Sequence, residues 1–174
     1  YSAAAEKIPV GAEGLIFHPY LTGELTPYAN PALRGGFTGL SARHTKAHFA
    51  RAVMEGVAMS LLDCKAYLEE KGVKIGEAAY AIGGGAKSEV WRQIVADALN
   101  LTLIRTENND SSFGSAMCAG IYAGFFKDFE DASKTCRKVT GTTTPIQENT
   151  EKYALEFQKY KKISRFFMEL ADER

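Results

Sequence analysis

The stretch AAYAIGGGAKS, residues 78–88, predicts the fold of this chain. Its first five residues are apolar and short enough for a buried strand, three glycines follow, and Ser88 is a favourable residue to begin a helix. The stripe predicted to be buried on that helix is Trp91, Ile94, Val95, Ala98 and Leu99. A strand that passes through a tight glycine turn into a helix is typical of α/β folds with parallel strands.

The segments around this unit continue the pattern. A helix of some two dozen residues is predicted from about residue 45 to Gly72, because glycine readily ends a helix. Residues 101–104 form a second apolar strand, and the polar residues 108–112 are good caps for a helix from Phe113 to about Phe125. The residues expected on the buried face of the first helix are Phe49, Val53, Gly56, Val57, Ser60, Leu61, Cys64 and Leu68. Together these elements predict an α/β domain spanning residues 1–174.

The two ends of the chain are predicted to differ. Residues 15–17 are a candidate buried strand, and residues 19–40 form a long loop rich in Pro and Gly. Residues 129–139 are expected to be a short helix, residues 140–145 a loop, and residues 149–172 a final helix. That last helix carries the stripe Tyr153, Phe157, Tyr160, Ile163, Phe167 and Leu170. We expect this stripe to pack against the domain's own sheet, with a homodimer contact as the alternative.

Composition and charge exclude several classes of protein. Apolar residues make up 45% and charged residues 24%, which excludes a disordered or collagen-like chain. Because 21 basic residues balance 21 acidic ones, the chain lacks the basic footprint of a nucleic-acid binder. No run of residues is long and apolar enough for a membrane helix. Three widely spaced cysteines favour a reducing cytoplasm. Since the sequence starts with Tyr1 rather than Met, we expect it to be a fragment of a longer chain.

The glycine turn is the strongest chemical signal that the residues themselves carry. Glycines such as Gly84 and Gly85 let backbone approach a ligand with no Cβ in the way. The helix that follows presents free N–H groups and the positive end of its dipole, which suits a phosphate. Ser88 can cap this helix or reach the ligand. A tight turn with no ligand is an equally good interpretation of these residues alone.

The glycine turn departs from two known phosphate-binding motifs. A Walker P-loop requires Gly directly before Lys-Ser/Thr, and Ala86 occupies that position here. The dinucleotide fingerprint G-x-G-x-x-G is nearly met, with Ser88 in place of the third glycine. The next strand would then end at Arg105, which suits the 2′-phosphate of NADP. An NADP-binding oxidoreductase module is therefore an alternative.

Other candidate chemical groups favour structural roles. His44 and His48 have the spacing of two metal ligands on a helix, but no third ligand is evident, so we expect capping or surface roles and no metal site. Glu55, in the middle of a predicted helix, is expected to make structural hydrogen bonds. No residue stands out as a general base. The sequence therefore predicts no catalytic residue in this chain.

The chain resembles the FGGY family of carbohydrate kinases. GGFTGL at residues 35–40, a gap of seven residues and HFARAVME at residues 48–55 match the second signature of that family. PYLTGELTP at residues 19–27 is most similar to the members that phosphorylate D-xylulose, although these commonly carry Arg where Leu25 stands. The glycine turn and SFGSAMCAG at residues 112–120 are similar to the nucleotide-binding turn of the family and its small-residue helix.

This resemblance implies an actin-like ATPase (ribonuclease H-like) fold. The chain would be the C-terminal half of a two-domain kinase, without the first strands of that half, and the catalytic Asp and sugar-binding residues would lie upstream. The resemblance implies that Gly84 and Gly85 face the nucleotide and that Ser88 borders the adenosine pocket. It also implies ATP or ADP with Mg²⁺, D-xylulose as the sugar, and no activity from this chain alone. An actin-like module without a kinase role is a further alternative.

Overall fold

The computed structural model describes residues 2–107 and 111–173. Its helices are α1 (Ser2–Ala5), α2 (Lys46–Glu70), α3 (Glu89–Leu99), α4 (Ser111–Tyr122), α5 (Phe129–Cys136) and α6 (Gln147–Asp172). Its strands are β1 (Ile16–His18), β2 (Gly36–Thr38), β3 (Ala78–Tyr80), β4 (Thr102–Thr106) and β5 (Val139–Thr143). Short 3₁₀ turns cover Ala12–Gly14 and Gly84–Lys87. None of the helices in these described ranges combines the length and apolar character needed to cross a bilayer.

The strands form two separate sheets. In the three-stranded sheet, β4 lies in the centre, with β3 parallel to it and β5 antiparallel. The parallel pairing of β3 with β4 and the alternation with helices confirm the predicted α/β class. The second sheet is a hairpin of β1 and β2, with Phe17 opposite Phe37. The predicted strand at residues 15–17 is thus confirmed within one residue, whereas its partner β2 lies in the segment predicted to be a loop.

The ends of α3 confirm the prediction from local sequence. Ser88 Oγ accepts a hydrogen bond from the backbone N–H of Trp91 at 3.3 Å, which satisfies one free donor of the first turn. Asn100 closes the helix in the left-handed region, with φ of 51°. The helix is buried on most of its surface, and its interior positions include Ile94, Val95 and Ala98.

The predicted loop at residues 140–145 is wrong, because Val139–Thr143 forms an edge strand on β4. Its β-branched valine and threonines suit the extended conformation, and Gly141 has a packing role. A Cβ at Gly141 would lie 2.9 Å from Nη2 of Arg105, so glycine leaves room for that guanidinium. The start of β5 also explains why α5 ends at Cys136, before the predicted end at residue 139.

The buried face predicted for α2 is confirmed at Gly56 but wrong for most of its other members. Val53, Leu61 and Leu68 are each about 40% exposed. The buried side of α2 carries His48, Arg51, Ala52, Glu55, Gly56, Ala58, Met59 and Asp63. Charged groups are buried there because partners far away in sequence satisfy them, as burial of a charge requires. Arg51 bonds Glu55 and Tyr153, and Asp63 bonds Lys161.

The main core lies between α2, α3, α6 and the three-stranded sheet, where Met59, Ile94, Leu103, Tyr153 and Tyr160 are buried together. The aromatic stripe of α6 is confirmed as an inward face, except that its last member, Leu170, is exposed. The helix packs mainly against α3 and β1, so it joins the hairpin to the rest of the core rather than lying flat on the large sheet.

Candidate functional site

The parallel strands β3 and β4 end at the same edge of the sheet. From that edge, β3 continues into the glycine turn, and β4 leads towards α4. Binding sites in parallel α/β sheets commonly lie outside the carboxyl ends of the strands, where the connecting loops diverge. Of the helix caps predicted at residues 108–112, residues 108–110 lie outside the described residues.

One side of the glycine turn packs against the protein, and the other side is exposed to solvent. Gly83 has φ of 80°, a conformation that favours glycine, and Gly84–Lys87 follows as a 3₁₀ turn. Ala86 is buried, and its carbonyl accepts a hydrogen bond of 2.5 Å from Arg92 Nη1. The three glycines themselves are exposed. The backbone of the glycines therefore faces solvent, while the hydrogen bond from Arg92 to Ala86 holds the turn in position.

The three predicted nucleotide-binding residues lie together in this turn but in different environments. A Cβ built on Gly84 would meet no described atom within 4 Å, so its exposed side has room for a ligand. A Cβ on Gly85 would lie 2.7 Å from Nε1 of Trp91, so packing alone already requires glycine there. The Ser88 hydroxyl caps α3, which is one of the two roles predicted for it.

A cavity of about 170 Å³ lies beside the turn, between the sheet and helices α4 and α5. Its walls include Tyr80 and Ile82 from the β3 end, Phe113 and Met117 from α4, and Arg137. The Arg137 guanidinium donates a 2.5 Å hydrogen bond to the Tyr80 hydroxyl and lies 5.4 Å from the centre of its ring. Among the described residues that line it there is no carboxylate or histidine. The cavity is thus suited to binding a flat group rather than to proton transfer.

Sequence reasoning missed this cavity, although one signal was present. Tyr80 and Ile82 are two residues apart, so they project from the same face of an extended segment. An exposed apolar pair next to a glycine turn indicates a surface on which a ligand or another segment packs. The contribution of Arg137 had no such signal, because it comes from a residue 57 positions away.

The remaining candidates have structural roles. Nδ1 of His48 accepts a hydrogen bond of 3.2 Å from the Thr45 N–H, so the predicted capping role is confirmed. Within residues 2–107 and 111–173, no group of three or more potential metal ligands comes together. Glu55 is buried and accepts hydrogen bonds from the Gly11 N–H, Arg51 and Tyr153, which confirms its structural role.

The arrangement around Arg105 does not match the NADP interpretation. Arg105 lies before the last residue of β4 and lines a cavity shared with α3 and β5. Its neighbour Thr106 lines the cavity beside the glycine turn instead. Because the Arg105 side chain projects away from that turn, it is not placed to meet a ribose phosphate held there.

Comparison with known proteins identifies the family. The pattern of the FGGY family of carbohydrate kinases, C-terminal domain, matches residues 2–123. The chain is 37% identical to xylulose kinase of Bacillus subtilis over 159 residues, which cover 91% of this chain. It is 38% identical to gluconokinase of the same organism over 149 residues, 86% of this chain and 29% of the relative.

Solved structures agree with the sequence relatives. The structure of ligand-bound xylulose kinase from Lactobacillus acidophilus superposes with a TM-score of 0.85 at 30% identity, covering 95% of this chain and 34% of that one. The chain spans about a third (32%) of the length of the Bacillus subtilis xylulose kinase. Both the motif spacing and the fold are therefore those of one part of a larger enzyme architecture, and the chain belongs to the FGGY family of carbohydrate kinases, in the region of the family's C-terminal domain.

Proposed function

We propose that this chain forms the nucleotide-binding part of an ATP-dependent sugar kinase whose substrate is D-xylulose. The observation that carries the nucleotide assignment is the exposed glycine turn at the carboxyl edge of β3, where Gly84 leaves its outer side open. Gly84 and Gly85 would approach the phosphates through their backbone, and Ser88 would border the adenosine. ATP would be bound with Mg²⁺, as phosphoryl transfer in this reaction class requires.

The cavity beside the glycine turn is suited to binding the adenine of the nucleotide. Tyr80 and Phe113 supply aromatic walls, and Ile82 and Met117 add apolar surface next to the turn. Ligand pockets are mostly apolar and aromatic, with a few polar groups that fix orientation. Here the polar groups are Thr106, Ser133 and Arg137. An adenine in this cavity would leave its phosphates near the glycine turn.

In the proposed kinase, the residues that bind nucleotide and the residue that accepts the proton lie in different parts of the protein. In-line phosphoryl transfer depends on positioning and charge neutralisation, with one residue accepting the proton of the attacking hydroxyl. We assign that residue, and the groups that bind the sugar, to the part of the relatives that this chain does not cover. D-xylulose follows from the names of the xylulose kinase relatives, whereas the gluconokinase relative makes gluconate the competing substrate.

The experiment that tests the nucleotide site is calorimetric titration of the chain with MgADP, with NADP as the parallel ligand. Gly84→Val should weaken ADP binding at least tenfold, because a side chain would occupy the space reserved for phosphate. Gly76→Val is the matched control, since a Cβ there also meets no described atom within 4 Å, and Gly76 precedes the opposite end of β3. Equal ADP affinity in both variants, or binding of NADP without ADP, would refute the assignment.

The kinase role has its own test. The chain alone should release no ADP from MgATP and D-xylulose. Fusion to the part of the Bacillus subtilis xylulose kinase that this chain does not cover should restore turnover. Gly84→Val should then lower the turnover of the fusion. A fusion that folds and binds ADP yet stays inactive would favour an actin-like module without a kinase role. A cytoplasmic location completes the proposal, because Cys64, Cys118 and Cys136 are all free.

A further inference from the structure

A second, larger cavity of about 550 Å³ lies on the side of the sheet that packs against α3. Its walls come from α2, α3, β4, β5 and the start of α6. Arg105 and Thr106 are adjacent in β4 yet line different cavities, so this space is separate from the one beside the glycine turn. None of the residues proposed to bind the nucleotide lines it.

Two guanidinium groups line this cavity, and among the described residues neither has a carboxylate oxygen closer than 3.8 Å. Arg92 is 97% buried, and its nearest carboxylate, that of the exposed Glu89, is 3.8 Å away. Arg105 is half-buried and forms no ion pair with any other described residue. Burial, and after it the charge of Arg105, lowers the pKa of Arg92. Like charges brought together inside a protein are costly unless an anion lies between them.

The other charged groups of the cavity do not supply that anion. Arg51 is already paired with Glu55 at 2.7 Å. Asp97 is buried and accepts hydrogen bonds from Gln93, from the Ile146 N–H and from Asn149, at 2.7–2.8 Å, so it fastens α6 to α3. Glu6 and Glu89 are exposed at the surface. The described lining thus has three arginines and three carboxylates, and no carboxylate oxygen lies closer than 3.8 Å to Arg92 or Arg105.

The shape of the wall fits an oxyanion. Gly141 has no side chain where the Arg105 guanidinium lies, and the Thr143 hydroxyl is 3.4 Å from Arg92 Nε. A hydroxyl in that position can donate its own hydrogen to an anion while accepting from arginine. Arg92 Nη1 already donates to the Ala86 carbonyl, so Arg92 offers its Nη2 to an anion. The Arg105 guanidinium can bind two phosphate oxygens in bidentate fashion.

We propose that this cavity is a binding site for the phosphate group of a small phosphorylated compound, held by Arg92, Arg105 and Thr143. Its volume exceeds what a single phosphate fills, so the rest of the compound would extend towards Thr144 and the surface. The site is distinct from the proposed nucleotide site and does not depend on it. The two are joined through Arg92, which also holds the Ala86 carbonyl under the glycine turn.

The test is a titration of the chain with inorganic phosphate at constant ionic strength, in which amide chemical shifts report binding. A parallel titration with acetate shows whether a carboxylate binds equally well. We expect saturable shifts in β5 and at the start of α3 with phosphate. Arg105→Gln should weaken phosphate binding at least tenfold. Arg165→Gln, which removes an exposed arginine of α6, should leave it unchanged. Arg105→Lys keeps the positive charge but loses the paired N–H groups of the guanidinium, so its affinity for phosphate should be intermediate.

The outcomes separate this site from the glycine turn. If Gly84→Val abolishes phosphate binding while Arg105→Gln does not, the phosphate belongs to the turn and the proposal fails. Shifts that follow ionic strength without saturating overturn it as well, and so does acetate binding as tightly as phosphate. Thermal melts of each variant establish that any loss of binding occurs in folded protein. Should Arg105→Gln fail to fold, the comparison of Arg105→Lys with Arg165→Gln decides the question.

Discussion

Replacing Gly56 with alanine should destabilise the chain, although alanine is the better helix former. Gly56 lies where α2 crosses β1, and a Cβ built there would be 2.1 Å from the carbonyl oxygen of Phe17. An ordinary contact begins at 3.4 Å, so the helix and the strand would have to separate by about 1.3 Å. The obstacle is backbone, which cannot move aside as a flexible side chain can. Such separation would loosen the small cluster of Leu15, Phe17 and Ala52.

The expected size of the effect follows from two opposing contributions. Overpacking of this kind costs about 1–3 kcal/mol or more. Removing glycine from a helix interior returns about 1 kcal/mol. Because the clash is with backbone, we expect a cost at the upper end and a net loss of about 2 kcal/mol. For a chain of this length that corresponds to a fall in Tm of roughly 4–8 °C.

Gly114→Ala in α4 is the matched control, because its Cβ would meet no described atom within 4 Å. The same substitution should there raise Tm slightly, by the helix propensity of alanine alone. The measurement is thermal unfolding followed by circular dichroism for both variants and the unmodified chain. If Gly56→Ala melts as high as Gly114→Ala, the close contact between α2 and β1 is not required, and the reasoning is refuted.

Two further predictions concern buried titratable groups. Burial lowers the pKa of His18 from 6.5 to about 4, so its contribution to stability is full above pH 6.5 and is lost as the pH falls towards 4. Between pH 7 and pH 5 this loss is about 2 kcal/mol, and urea unfolding of His18→Gln should show a correspondingly flatter pH dependence. Glu55→Gln should cost about 3 kcal/mol in the same assay, because it leaves the buried Arg51 guanidinium without its carboxylate.

Each of these predictions has a control in the chain. His44→Gln, a substitution at a less buried histidine, is the control for His18→Gln. Parallel pH curves for the unmodified chain and His18→Gln would contradict the low pKa of His18. Glu69→Gln removes a more exposed partner of an i,i+4 pair with Lys65 and should cost less than about 1 kcal/mol. Equal costs for Glu55→Gln and Glu69→Gln would show that burial of the Arg51 pair does not matter.

Local chemistry and motif spacing were enough to predict much of this protein. Ser88 and Asn100 determine the two ends of α3 through contacts within a few residues, so sequence reasoning found both. The gap between GGFTGL and HFARAVME indicated the family, which the relatives confirm. The glycine turn was likewise visible, because glycine carries its conformational freedom wherever it stands. Its binding of nucleotide remains a prediction.

Only the tertiary structure decided which charges are buried and which cavities form. Helix α2 turns Arg51 and Asp63 inwards because Tyr153 and Lys161, about 100 residues later, complete their hydrogen bonds. Strand β5 exists because β4 offers it an edge, and the cavity around Arg92 and Arg105 exists because β5 then lies beside α3. Periodicity describes one segment at a time and assumes that apolar residues face inwards. The free energy of a buried ion pair depends on partners that only the folded chain brings together.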